Sequence, residues 1–242
     1  MFQELITAVR NADVYSLIAI ILTSAVLLLI CLPSHEFAHA FAAHKLGDDT
    51  AKYQGRLTIN PLKHLDLLGT IMILLIGVGY AKPVPVNMMN FKNRKRDMAI
   101  TAVAGPLMNL FVGIIFIFLN VVFAKFVYLP YFTNHINDFY NQTIIYHILT
   151  IILFVLSTTA EISVSLAIFN LIPIPPFDGS RILGYFLPDR IYYKIMQYEQ
   201  VIFIIVLALL WLGFLSGPLN TLMNAVYNGL FWLISLPFGG MN

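Results

Sequence analysis

Two histidines and a glutamate raise the first question of chemistry, in the string His35-Glu36-Phe37-Ala38-His39 at the end of a long apolar run. From Leu17 to Leu32 the chain carries no charge. On a helix, positions four apart lie about 40° from one another around the axis, so His35 and His39 share a face. Two imidazoles placed this way can hold one metal ion, and Zn²⁺ is the usual occupant. Glu36 can reach a water beside that metal without ligating it, and there take its proton at neutral pH. The plain alternative is two buried histidines with a chance glutamate between them. The membrane setting weakens it, because ionisable groups inside a bilayer are costly and mark function.

A third donor is expected far along the chain, in Asn170-Leu171-Ile172-Pro173-Ile174-Pro175-Pro176-Phe177-Asp178-Gly179. Its prolines end any preceding helix and impose an extended course. Unwound backbone at membrane depth survives only where it is buried or lines a wet cavity, so this stretch is expected beside the site. Asp178 offers an oxygen ligand suited to Zn²⁺. Two His and one Asp leave a fourth position open, the pattern of a catalytic and not a structural zinc site.

Other polar residues admit plainer readings. Asn109 is a lone amide in an apolar segment and should point into a bundle, as a helix-packing contact or as a group near substrate. Thr159, Ser163 and Asn170 fall on one face of a later span, with Thr158, Glu161 and Ser165 on the other. Glu161 is expected to make a structural polar contact. Cys31 reads as a small buried apolar residue. His44 lies half a turn off the ligand face and is excluded as a ligand, and His64 reads as an interfacial histidine.

The elements that must position these groups are membrane helices. Hydrophobic residues make up 59% of the chain, charged ones 11%, and mean hydropathy is +0.81, which indicates a polytopic membrane protein and excludes an ordinary soluble core. One cysteine excludes a disulfide framework. The net charge of +2 gives no sign of a nucleic-acid partner, since the basic residues cluster as topology signals do. No basic n-region or small-residue cleavage site precedes the first apolar run, so that run is expected to stay as an anchor. Spans are expected near residues 14–45, 98–124 and 143–171, with a bend at Pro33 and a polar loop over 125–142. Residues 46–97 are irregular and basic, with a piece at Leu67 to Gly79, about 13 residues long, that is too short to cross comfortably and reads as re-entrant. The runs Val201 to Leu215 and Leu219 to Leu236, joined at Ser216-Gly217-Pro218, suggest a C-terminal hairpin.

The HEFAH string, the Gly105-Pro106-Leu107-Met108-Asn109 segment and the NLIPIPPFDG stretch, in that order, resemble the site-2 protease family of intramembrane zinc metalloproteases. The INPLKHLDLLGT and YAKPVPVN stretches are similar to its small prokaryotic members, and the likeness covers roughly residues 15–185. The resemblance implies zinc held by His35, His39 and Asp178, Glu36 as general base, and Asn170 steadying the substrate carbonyl or its oxyanion. It also implies re-entrant strands after the first span that clamp substrate in extended form. No PDZ or CBS module is expected.

The resulting expectation is an all-α polytopic membrane protein with about five transmembrane helices and a re-entrant β/loop segment. Residues 1–198 would form the catalytic core and 199–242 the C-terminal hairpin. Nine Lys/Arg in residues 45–97, with Arg181, Arg190 and Lys194, place those stretches in the cytoplasm. That puts the site nearer the cytoplasmic face of the cell membrane and the N-terminus outside. The expected function is an endopeptidase acting on transmembrane protein substrates in the lipid bilayer. The alternative is a membrane metal transporter or sensor using the same His-His-Asp cluster.

Overall fold

The computed structural model describes residues 7–8, 10–11, 13–76, 79–136, 141 and 143–240. Among the described residues three helices are long and apolar enough to cross a membrane: α1 (Val14–Lys45), α3 (Arg94–Asn134) and α4 (Ile144–Asn170). Between the first two lies the short helix α2 (Leu67–Ile76), and after the third come α5 (Asp178–Phe186), α6 (Asp189–Met196), α7 (Glu199–Trp211) and α8 (Ser216–Ser235).

Local chemistry sets where the spans begin. Asp13 caps α1 by accepting from the Ser16 N–H at 3.2 Å, and the Thr143 hydroxyl caps α4 by accepting from Tyr146 N–H. Within α1, Leu27–Cys31 is a π-helical turn in which the Leu32 N–H reaches back to Leu27 O. Pro33 follows at once. Its ring would strike the carbonyl of Leu29 in a regular helix, and the widened turn makes room for it, so the expected disturbance at Pro33 takes this form. Thr23 and Ser24, buried in the apolar run, return their hydroxyls to Ala19 O and Ile20 O at 2.9 Å each and leave no unpaired polar atom.

Among the described residues the core has three apolar centres; the smallest, Ala43 with Phe91 and Met98, seats Val86 and Met88 against α1 and α3, and the other two lie between the spans. Leu27, Leu28 and Cys31 of α1 meet Ile73 of α2 and Val112 of α3 in one, and the Cys31 thiol sits 3.2 Å from the Ser163 hydroxyl. In the other, Ile117 and Val121 of α3 meet Ala160 and Val164 of α4, covered by Val226, Leu230 and Ile234 of α8. Thr159 and Ser163 face this interior, as their stripe predicts, and Glu161 is exposed.

Three expectations change. The polar loop over 125–142 is helical as far as Asn134, because a π-helical turn at Ala124–Tyr128 absorbs the register change and Pro130 falls in the first turn of the segment that follows, where its missing N–H costs nothing. Ser216-Gly217-Pro218 opens α8 instead of joining it to α7; the connection is residues 212–215, with Gly213 at φ +81°. The strands expected in residues 46–97 do not form among the described residues. One antiparallel bridge, Leu65 with Ala81, closes the excursion through α2, and residues 82–87 then run extended. Pro83 and Pro85 have no N–H to donate to a ladder; Lys82 N–H completes the bridge on His64 O, and Val84 and Asn87 give theirs to the Glu36 and Asp48 carboxylates.

Candidate active site

The helical spacing in α1 brings the two imidazoles together. His35 Nε2 and His39 Nε2 lie 3.0 Å apart, and each is 3.3 Å from Oδ2 of Asp178. Four ligands arranged tetrahedrally about Zn²⁺ at roughly 2.0–2.1 Å stand about 3.3 Å from one another. The three donor atoms therefore already occupy three corners of such a site. Both imidazoles are buried, so the group is screened from bulk solvent on the protein side.

The far side of each imidazole is also engaged. His39 Nδ1 donates to Thr101 O at 2.7 Å, which leaves Nε2 as the unprotonated, ligating nitrogen. His35 Nδ1 faces the Asn109 amide at 3.0 Å. With the amide nitrogen toward His35, Asn109 Oδ1 is buried without a partner; turning the amide by 180° lets Oδ1 accept from His35 Nδ1–H. Asn109, expected to point into the bundle, thus faces a histidine of the cluster. Gly105, one turn before it on α3, lets the helix approach: a Cβ there would stand 2.3 Å from His39 Nε2 and 2.6 Å from His35 Cε1.

Asp178 is delivered by the unwound stretch after α4. The extended course expected of the prolines gives way to successive turns over residues 171–177, with Ile174 N–H on Ile172 O and Phe177 N–H on Ile174 O, and α5 starts at Asp178. Gly179 permits the contact with the end of α4, because a Cβ there would lie 2.3 Å from Leu171 O and 2.4 Å from Ile172 O. Asn170, the last residue of α4, gives one amide hydrogen to Leu166 O at 2.9 Å. Its side chain stands in the wall of a cavity of about 530 Å³. His35, Glu36, His39, Asp178 and Arg181 line the same cavity, with Pro83, Val84, Pro85 and Val86 of the extended segment.

Glu36 Oε2 accepts from the Val84 N–H at 2.8 Å, while Oε1 accepts nothing among the described residues. The extended segment is fixed at both ends. Arg56 donates to Lys82 O at 2.6 Å and, at the far end, Asn87 N–H donates to Asp48 Oδ2 at 2.7 Å. Asp48, fully buried, also accepts from Thr50 and from the Asn90 amide. Thr101, Gly105, Val84, Arg56 and Asp48 were not singled out for the site from sequence, because each reaches it through a contact 26 to 66 positions away or through its backbone; the PVPV string was the one local hint. The excluded His44 pairs with Asp49, and His64 is fully buried with Nε2 at 2.7 Å from Thr58 O, so neither reaches the cluster.

Comparison with known proteins agrees with this chemistry. The family model for Peptidase family M50 matches residues 23–213. The chain is 37% identical over 213 residues to "Putative zinc metalloprotease YwhC" of Bacillus subtilis, covering 87% of this chain and 90% of that one. It is 28% identical over 189 residues to "Putative zinc metalloprotease Rip2" of Mycolicibacterium smegmatis, covering 76% of this chain and 64% of that one. With "Putative zinc metalloprotease MJ0611" of Methanocaldococcus jannaschii the identity is 27% over 155 residues, 62% of either chain. No solved structure gives a significant match. The family model spans most of the chain and the Bacillus relative is matched nearly end to end, so the chain belongs to peptidase family M50 and is a zinc metalloprotease.

Proposed function

We propose that the protein is an intramembrane endopeptidase that cuts peptide bonds within or near transmembrane segments of membrane proteins. The observation that carries this reading is the shared cavity: the His35–His39–Asp178 cluster, Glu36 and an extended backbone segment line one space among helices able to span a bilayer. His35, His39 and Asp178 would hold the zinc. When bound, it supplies Lewis acidity toward the scissile carbonyl and the attacking water.

The chain's own residues do the rest. A helical substrate hides its carbonyls, so it must be drawn out as a strand before it can be cut. Residues 82–87 are held by Asp48 and Arg56, and the carbonyls of Pro83 to Val86 with the Val86 N–H are left to pair with such a strand. Glu36 Oε1 takes the proton from the attacking water and returns it to the leaving amine, while Val84 N–H holds Oε2 in place. Asn170 has a second amide hydrogen beyond the one given to Leu166 O, and it serves the developing oxyanion. Asn109 positions His35 and does not touch substrate.

The same reading fills in the topology. Residues 46–97 re-enter the membrane from the cytoplasmic side, since the Leu65–Ala81 bridge returns the chain to the level it left. The basic stretches lie in the cytoplasm, the N-terminus outside, and α7 and α8 complete five crossings as a hairpin (199–242) beside the catalytic core (1–198). Reconstituting the protein in liposomes with a tagged single-span substrate tests the proposal. Products mapped by mass spectrometry should end inside or beside the span, and 1,10-phenanthroline should stop their formation. Metal flux without any peptide cleavage would replace this reading with transport.

A further inference from the structure

A second cavity, about 770 Å³, adjoins the catalytic one. Arg181 and Met98 line both, so the two spaces share a wall. The extended segment connects them as well: Pro83 to Val86 line the catalytic cavity, and the same chain continues through Met88 to Lys92 along the second. A strand paired along residues 82–87 is thereby led from one space into the other.

The second chamber is basic. Lys92, Arg94, Lys95, Arg96 and Arg181 line it, against one lining carboxylate, Asp189. Two of these cations are already engaged. Lys95 Nζ meets Asp189 Oδ1 at 2.6 Å, and Arg96 meets Asp97 Oδ1 at 2.8 Å. Lys92, Arg94 and Arg181 make no hydrogen bond or ion pair among the described residues. Lys92 and Arg94 could owe their place to topology alone, as basic residues at a cytoplasmic boundary do. Arg181 counts toward the same boundary, but unlike them it also lines the catalytic cavity. It stands half-buried in the wall shared by the two cavities, one turn after Asp178 on α5, with Glu36 and Asp178 lining the catalytic side and its guanidinium open to an anion on the other.

We infer that this chamber is a binding site for acidic side chains of the substrate polypeptide flanking the cut bond, with Arg181 as the specificity-determining residue. The inference rests on the endopeptidase reading, since that reading puts a polypeptide in the adjoining cavity. A carboxylate from a strand leaving the catalytic cavity meets Arg181 first and then Lys92 and Arg94. A planar guanidinium receives such a group through two parallel hydrogen bonds.

The test uses full-length Glu36→Gln protein in nanodiscs of zwitterionic lipid and two fluorescent ten-residue peptides, identical except for three Glu in one and three Gln in the other. The acidic peptide should bind roughly tenfold tighter. That preference should vanish in Arg181→Gln, return in part in Arg181→Lys, and shrink in Lys92→Gln/Arg94→Gln, with zinc content reporting an intact fold in each. Equal binding of the two peptides, or a preference indifferent to all three changes, overturns the inference. So does Arg181-dependent retention of anionic phospholipid without any peptide preference, which would make the chamber a lipid site. Wild-type cleavage of a single-span substrate with neutral flanks tests the endopeptidase reading separately. Cleavage without peptide preference removes only this site, and preference without cleavage supports the site and removes only the protease reading.

Discussion

At the residue scale, the site is a set of close approaches around two imidazoles. Asn109→Ala removes the group that orients His35, and second partners of this kind are worth about 10–100-fold in metal affinity. Competition with a zinc-binding dye should show that loss, whereas Asn109→Asp should keep most of the affinity by still accepting from Nδ1–H. Gly105→Ala should be at least as damaging, because its methyl would overlap both histidines. Full zinc occupancy in that variant would mean that α3 can move away freely. For Asn170 the loss should fall on turnover: Asn170→Ala should cut at a rate reduced by roughly 10²–10³ with zinc retained. Unchanged kcat would reduce it to the helix-end amide that its bond to Leu166 O already makes it. His35, Glu36 and His39 were legible in the sequence because a helix repeat alone sets them side by side. Asp178 was legible because prolines and a glycine bracket it. Thr101 and Val84 were not, since each acts through a backbone atom and any side chain could stand there.

At the element scale, the segment over 82–87 depends on two anchors remote in sequence. Asp48 accepts from Thr50, Asn87 and Asn90, and truncating it removes three charge-assisted hydrogen bonds to a fully buried carboxylate. Asp48→Ala should therefore lower stability by about 2–4 kcal/mol, and limited proteolysis should find new cuts over residues 82–90. Undiminished protection there would show that Arg56 and His64 suffice to hold the segment. The spans themselves were readable from apolar length, including both bounds of α1 to within a residue. The strands that the resemblance implies for this region do not form among the described residues, because Pro83 and Pro85 remove ladder donors. The continuation of α3 to Asn134 was missed because π-helical turns have no sequence signature of their own.

At the scale of the whole molecule, orientation and chemistry must agree. α3 is about 60 Å long if straight, roughly twice the hydrocarbon thickness, so part of it stands outside the bilayer. In a Cys31→Ser background, cysteines at Lys95 and Arg190 should be shielded from an impermeant reagent in intact cells, and one at Asn134 should be labelled. Labelling at position 95 from outside would invert the arrangement and put the site at the other face. The measurement closest to the central claim is cleavage by Glu36→Gln beside the wild type, in one reconstitution with zinc content determined for both. The substituted amide keeps the size of the side chain and an oxygen for Val84 N–H, but it cannot take a proton at neutral pH. The variant should hold zinc at the wild-type level and cut almost none of a membrane-spanning substrate that the wild type cuts. Cutting by Glu36→Gln at wild-type speed would contradict the account, because some other group would then be the base.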